Sequence, residues 1–128
     1  MITWSEKYSV KNNLIDSQHK KLILLVNQLH TAMKEGKGRD ALQTVLDELV
    51  SYTQEHFKDE EAMMVRGKFP GYNLHKIEHE NLTKKAASLQ EQYRSGKTPL
   101  TLDVMTFLSD WLVNHIEGSD KKYIGKIS

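Results

Sequence analysis

Cysteine is missing from all 128 positions, which removes disulfides, iron–sulfur clusters, thiolate zinc sites and cysteine nucleophiles at once. Any metal held by this chain must therefore use nitrogen and oxygen donors. No charge of one sign dominates. Eighteen Lys plus Arg stand against 17 Asp plus Glu, a formal net charge of +1, so there is neither the basic excess of a nucleic-acid binder nor a disordered acidic tail. Long apolar runs are absent too. The longest aliphatic stretch is Leu22 to Val26, far short of a membrane span, and the first residues contain no apolar signal core. The expectations are no nucleic acid, no membrane insertion and a cytoplasmic location. Seven glycines and two prolines are few, and Leu, Lys, Glu and Gln are plentiful, which favours helix over sheet. The length suits one domain covering 1–128.

What is present is helical periodicity. Residues 1 to 15 show no sustained period and read as an extended arm laid on the domain. Asp16 is a candidate N-cap, followed by His19, Leu22, Val26, Leu29 and Met33 at alternating spacings of three and four. This predicts a helix over about 17–35, closed by Gly36 and Gly38. A second helix over about 40–66 carries Leu42, Leu46, Leu49, Thr53, His56, Glu60 and Met63 on one seam. A third, about 73–95, carries His75, His79, Leu82, Ala86, Leu89 and Tyr93. Thr98 and Pro99 fit N-cap and first helical position of a fourth, about 99–117, with Val104, Leu108, Trp111 and His115 in line. Four amphipathic segments joined by short Gly or Pro turns predict an all-α, up-down-up-down four-helix bundle with an N-terminal arm and a short C-terminal segment.

The seams contain residues that do not belong in an apolar core. His19, His56, Glu60, His75, His79 and His115 are ionisable, and burying a charge costs several kcal/mol unless it is paired or bound to metal. His19 and His75/His79 lie near the starts of their helices, His56/Glu60 and His115 near the ends of theirs. In an antiparallel bundle all of these positions fall at the same end. Asp120 is a further candidate. Five residues after His115, it stands about 140° away on a straight helix, so the chain must turn at Glu117-Gly118-Ser119 to bring it in. Five imidazoles and two carboxylates exceed one tetrahedral zinc site and suit two iron ions with bridging carboxylates. The Glu-x-x-His pairs of ferritin-like di-iron oxidases do not occur.

Single residues also have plainer readings. Alone, His19 reads as a satisfied core histidine; within the set of seven it reads as a ligand. His30 lies about 16 Å further along the first helix, too far to join, and reads as structural or exposed. Asp59 and Glu61 point off the seam and read as a solvated face. Phe57 and Trp111 are core residues first, and Met63 and Met64 core fillers.

Over nearly its whole length the chain resembles the single-domain bacterial hemerythrins. The resemblance rests on Trp4 and Tyr8, Ile15-Asp16-Ser17-Gln18-His19 with Leu22, His56-Phe57-Lys58-Asp59-Glu60-Glu61 with Met64, His75-x-x-x-His79, and Trp111-Leu-Val-Asn-His115-Ile116 followed by Asp120 and Tyr123. Myohemerythrin is a standard example of the up-down bundle. The resemblance implies that His75, His79 and His115 hold one iron and His19 and His56 the other. Glu60 and Asp120 bridge the two, together with an oxo or hydroxo group. The iron with two histidines keeps an open position for O2, and Leu22, Phe57, Trp111, Leu112 and Ile116 form apolar walls that exclude water. Tyr123 matches the family's C-terminal packing tyrosine.

The functional expectation is reversible O2 binding for transport, storage, delivery or sensing, with a separate protein as recipient of O2. The competing expectations are a di-iron enzyme that consumes O2, peroxide or nitric oxide, and an iron- or redox-sensing module that works through a partner.

Overall fold

The computed structural model describes residues 2–36, 39–96 and 102–125. Four helices form the domain: α1 (Asn13–Lys34), α2 (Arg39–Arg66), α3 (Tyr72–Arg94) and α4 (Leu102–Asn114). α4 continues into a π turn at His115–Ser119 and a 3-10 turn at Asp120–Tyr123. No strand occurs among the described residues, and no helix there is long and apolar enough to cross a membrane. α1 packs against α2 and α4, and α2 against α3. The short connections make sequence neighbours antiparallel, which is the four-helix bundle that the periodicity predicts. The Thr98-Pro99 cap and the side chain of Val104 lie outside the described residues.

The start of α1 differs from expectation. Asn12, not Asp16, is the N-cap: its side chain accepts a hydrogen bond from the Ile15 amide at 3.0 Å. The helix can begin early because Ile15 is fully buried and extends the seam Ile15, His19, Leu22, Val26, Leu29 by one turn. Asp16, inside the first turn, ties down the arm instead. Its carboxylate accepts from Ser9 Oγ at 2.6 Å and from the Val10 amide at 2.9 Å. The arm is not extended throughout, since Glu6–Tyr8 form a 3-10 turn. Upstream, Ile2 exchanges two hydrogen bonds with the Asn27 side chain, so the arm runs along α1.

The bundle interior has two apolar clusters. The larger contains Leu22, Val26, Leu29, Leu46, Leu49, Val50, Ala86, Leu112 and Ile116. The smaller contains Val10, Ile15, Met63, Met64 and Tyr123. His19 stands between Ile15 and Leu22 on α1, and Glu60 between Phe57 and Met63 on α2. The ionisable residues therefore form a polar layer with dry packing above and below it.

The turn from α2 to α3 is tight. Gly71 has φ −84°, which any residue can adopt, but a Cβ there would meet Phe69 Cζ at 2.7 Å and Cε2 at 3.0 Å. The half-buried Phe69 ring packs edge-on against His75 and Tyr123, so a new Cβ must displace it from those contacts. Gly71→Ala is expected to cost about 1–3 kcal/mol by overpacking. Thermal unfolding of the metal-free protein checks this, and an unchanged Tm contradicts it.

Candidate metal centre

All seven residues singled out from the sequence meet in the polar layer, and all are buried, with Glu60 and Asp120 at 0% exposure. Their donor atoms fall into two groups. Glu60, His75, His79, His115 and Asp120 form one, and His19, His56, Glu60 and Asp120 the other. Within each group the donor atoms lie within 4.8 Å of one another. The two carboxylates belong to both.

Glu60 divides its oxygens between the groups. Oε1 is 3.1 Å from Nε2 of both His75 and His79. Oε2 is 3.1 Å from His56 Nε2 and 3.4 Å from His19 Nε2. It also accepts a hydrogen bond from the Tyr123 hydroxyl at 2.9 Å. Asp120 does likewise: Oδ1 lies 2.8 Å from His75 Nε2 and 3.0 Å from His115 Nε2, while Oδ2 lies 3.0 Å from His19 Nε2.

The chain does turn across Glu117-Gly118-Ser119, and the bend that brings Asp120 inward is the π turn at His115–Ser119. The Asp120 amide donates to the His115 carbonyl five residues back, and this wider turn returns position i+5 towards the face of i. Nothing lies within 4 Å of a Cβ built on Gly118, and its φ is not in the left-handed region. The turn needs no special residue there.

The outer nitrogens of three imidazoles are also held. Gln18 Nε2 donates to Asp59 Oδ2 at 2.9 Å, so its Oε1 faces His56 Nδ1 at 2.6 Å. His79 Nδ1 is 2.9 Å from Glu61 Oε2. His115 Nδ1 is 3.2 Å from Glu78 Oε2, to which Ser119 Oγ donates at 2.6 Å. Each facing oxygen is an acceptor, so each Nδ1 carries a proton, and Nε2 turns its lone pair to the centre. Asp59 is exposed and Glu61 partly so, in keeping with a solvated face, but both also serve the centre: Glu61 faces a histidine directly and Asp59 does so through Gln18. These partners sit on neighbouring helices, so helical phase on one element does not reveal them. The available signal is that a buried imidazole needs a second partner at the same depth of the bundle. Tyr123 likewise does more than pack, because its hydroxyl anchors Glu60.

The chemistry of this donor set fits a pair of cations. The Nε2 atoms of His79 and His115 are 3.1 Å apart, and two lone pairs so placed repel unless a proton or a metal ion lies between them. His19 Nδ1 and Nε2 and both Asp120 oxygens are buried without an aligned hydrogen-bond partner among the described residues, despite the short distances to neighbours. Two cations, one taking Asp120 Oδ1 and the other Oδ2 together with His19 Nε2, would satisfy three of these four atoms.

Without metal, protons take that role. Burial pushes the His19 imidazole down, but Asp120 and Glu60 outweigh it and lift its pKa from 6.5 to about 9. His75 is raised to about 9 by the same balance. Burial opposes ionisation of Glu60, yet His56, His19 and His75 hold its carboxyl well below the usual range. Asp120 is also lowered: burial and Glu60 push it up, and His115 and His19 pull it down further. The Tyr123 hydroxyl is pushed up by burial and by both carboxylates, so it stays protonated as a donor.

These shifts define a pH window. Raised histidines stabilise the fold fully below about pH 6.5 and lose that contribution as pH rises through about 9. Depressed carboxylates contribute above their ordinary values of 4.5 and 3.8 and lose it as pH falls. The metal-free protein is therefore expected to be most stable between about pH 4.5 and 6.5. Tm measured against pH after chelation checks this, and a metal-free Tm that climbs from pH 7 to 9 contradicts it.

An apolar cavity of about 40 Å³ lies within the larger cluster, walled by Leu22, Leu49, Phe57, Leu82, Trp111 and Leu112 among others, of which Phe57 and Trp111 also touch histidines of the polar layer. Four of the five predicted pocket residues line it. Ile116 does not; it is buried in the adjoining core. Phe57 stacks on His79 with centroids 3.7 Å apart, and Trp111 stacks on His115 at 4.5 Å. The closest ring contacts of the wall are thus with the group of three histidines. Phe57 is farther from His56, at 5.8 Å and tilted.

Residues 10–127 match the Hemerythrin HHE cation binding domain. The chain is 35% identical over 124 residues to a bacteriohemerythrin of Methylococcus capsulatus, covering 96% of this chain and 94% of that protein. It is 33% identical to a bacteriohemerythrin of Stenotrophomonas maltophilia (99% and 82% covered) and 34% identical to a hemerythrin-like protein of Naegleria gruberi (95% and 90% covered). A crystal structure of wild-type hemerythrin superposes with a TM-score of 0.94 at 34% identity, covering 98% of this chain and 97% of that one. With a polar layer of five imidazoles and two shared carboxylates inside the same bundle, this chain belongs to the hemerythrin family.

Proposed function

We propose that the protein binds O2 reversibly at a di-iron centre. His75, His79 and His115 serve one iron, His19 and His56 the other, and Glu60 and Asp120 serve both. The observation that carries this reading is the division of donor atoms into two groups that share both carboxylates. Two ferrous ions held there supply the two electrons that reversible O2 binding requires.

The protein's own part is orientation and exclusion of water. Glu61, Glu78 and Gln18 fix imidazole tautomers, so Nε2 is the donor on His79, His115 and His56. Tyr123 holds Glu60 Oε2 in place. The cavity wall is aliphatic and aromatic apart from the Trp111 indole N–H and Thr53, whose hydroxyl donates to the Leu49 carbonyl at 2.7 Å. A wall built almost wholly of aliphatic and aromatic side chains, with no carboxyl or imidazole to deliver a proton, favours release of O2 over its reduction, and this supports a carrier, store or sensor rather than an oxidase or peroxidase. An anaerobically reduced sample should take up O2 and give it back unchanged under vacuum. Net consumption of O2, peroxide or nitric oxide with multiple turnovers would favour the enzyme reading instead.

The wall can be tested separately. Leu112→Ala opens the cavity and is expected to cost about 2–5 kcal/mol of stability. Iron content should be unchanged, and the oxygenated form should decay faster as water gains access. An oxygenated form as long-lived as that of the parent would show that Leu112 does not guard the centre.

A further inference from the structure

The inner nitrogens of the five histidines converge, but their outer nitrogens do not share one kind of partner. On the side of three histidines, His79 Nδ1 faces the Glu61 carboxylate at 2.9 Å, and His115 Nδ1 faces the Glu78 carboxylate at 3.2 Å. On the side of two, His56 Nδ1 faces the neutral amide oxygen of Gln18 at 2.6 Å. His19 Nδ1 is buried with no hydrogen-bond partner among the described residues. The charge of Asp59 reaches His56 only through the Gln18 amide.

We infer that Glu61 and Glu78 act through His79 and His115 as positioning residues that rank the two metal sites. They make the three-histidine site the first to fill, the last to empty and the harder of the two to reduce. This rests on the di-iron reading above. A carboxylate that accepts from Nδ1–H gives the ring partial imidazolate character, so Nε2 becomes a stronger donor and stabilises the more oxidised metal. A neutral amide does this less. The larger number of histidines already favours one site, and the outer carboxylates widen that gap. The two carboxylates are not equal. The Glu61 side chain is 21% exposed and that of Glu78 is 45% exposed, so solvent screens Glu78 more. Ser119 Oγ also draws on the Glu78 oxygen that faces His115. Glu61 therefore carries the larger share.

Isosteric exchange separates charge from geometry. Glu61→Gln keeps an acceptor oxygen for His79 Nδ1–H but removes the charge, whereas Glu61→Ala removes both. The converse is the double variant Gln18→Glu with Asp59→Asn, which moves the carboxylate next to His56 and keeps the hydrogen bond reversed. Anaerobic ferrous iron titration against a competing chelator reads the two binding steps, and redox titration of the loaded protein reads the potentials. In Glu61→Gln the first step is expected to weaken by about 10- to 100-fold, with the second nearly unchanged and the first iron's potential shifted positive. Glu78→Gln should produce a smaller shift in the same direction. The double variant should strengthen the second step and narrow the gap. Two irons bound by Glu61→Gln with unaltered steps and potentials overturns the inference and leaves the di-iron reading standing. A deficit in Glu61→Ala alone does the same, because geometry then matters and charge does not. An unmodified protein that binds no iron overturns the di-iron reading itself.

Discussion

Replacing Glu60 by glutamine is expected to reduce the iron content from about two per chain to about one or fewer, and to abolish any oxygen-dependent visible band. Glu60 is the residue on which both groups of donors depend. One oxygen faces His75 and His79, the other His56 and His19, at 3.1 to 3.4 Å. A glutamine has the same shape but presents an NH2 in place of one oxygen, and NH2 cannot ligate a metal. It also removes one of the two anionic charges that offset two dications in a layer closed to solvent. Asp120 then remains the sole carboxylate common to both groups. The variant should be less stable without metal as well. Removing one partner of a buried ionic network costs about 3–5 kcal/mol, because the imidazoles left behind lose their counter-charge. Helical content by circular dichroism, measured well below Tm, distinguishes loss of the centre from loss of the fold. A folded Glu60→Gln protein with about two irons per chain would contradict the role assigned to Glu60.

His56→Ala is expected to be nearly as damaging to function but selective in what it removes. His19 would be the one imidazole left to the second group, too few with shared carboxylates to hold that ion, whereas His75, His79 and His115 remain together. Iron should fall to about one per chain and oxygen binding should be lost. Truncation also leaves Gln18 Oε1 without its 2.6 Å partner, so some stability is lost with the metal. His30→Ala is the internal comparison. His30 is half-buried on α1 and belongs to neither donor group. It should retain both irons. Equal iron and oxygen binding in His56→Ala and His30→Ala would show that His56 is not a ligand.

The legible part of this molecule was its seam. His19, His56, Glu60, His75, His79 and His115 stand out because they occupy core phases of amphipathic helices, and antiparallel packing puts those phases at one depth. What escaped were features set by contacts between elements. Asp16 has the composition of a cap, but the burial of Ile15 moved the helix start back to Asn13, and Asp16 anchored the arm. Asp120 lies out of phase on any straight helix, and only the π turn from His115 brings it in. The orienting roles of Glu61 and Glu78 depend on histidines of other helices and have no periodicity of their own. Ile116 has the right phase for the cavity wall, yet it packs into the core beside it.

This layer of five histidines and two carboxylates is proposed to be a reversible oxygen site built on two irons. One experiment tests it most directly: determine iron per chain, reduce the protein anaerobically, admit air and then remove it while recording the visible spectrum. About two irons per chain are expected, with a charge-transfer band that appears with O2, fades when O2 is withdrawn and returns on a second cycle. Fewer than about two irons, or a band that cannot be reversed by removing O2, would contradict the proposal.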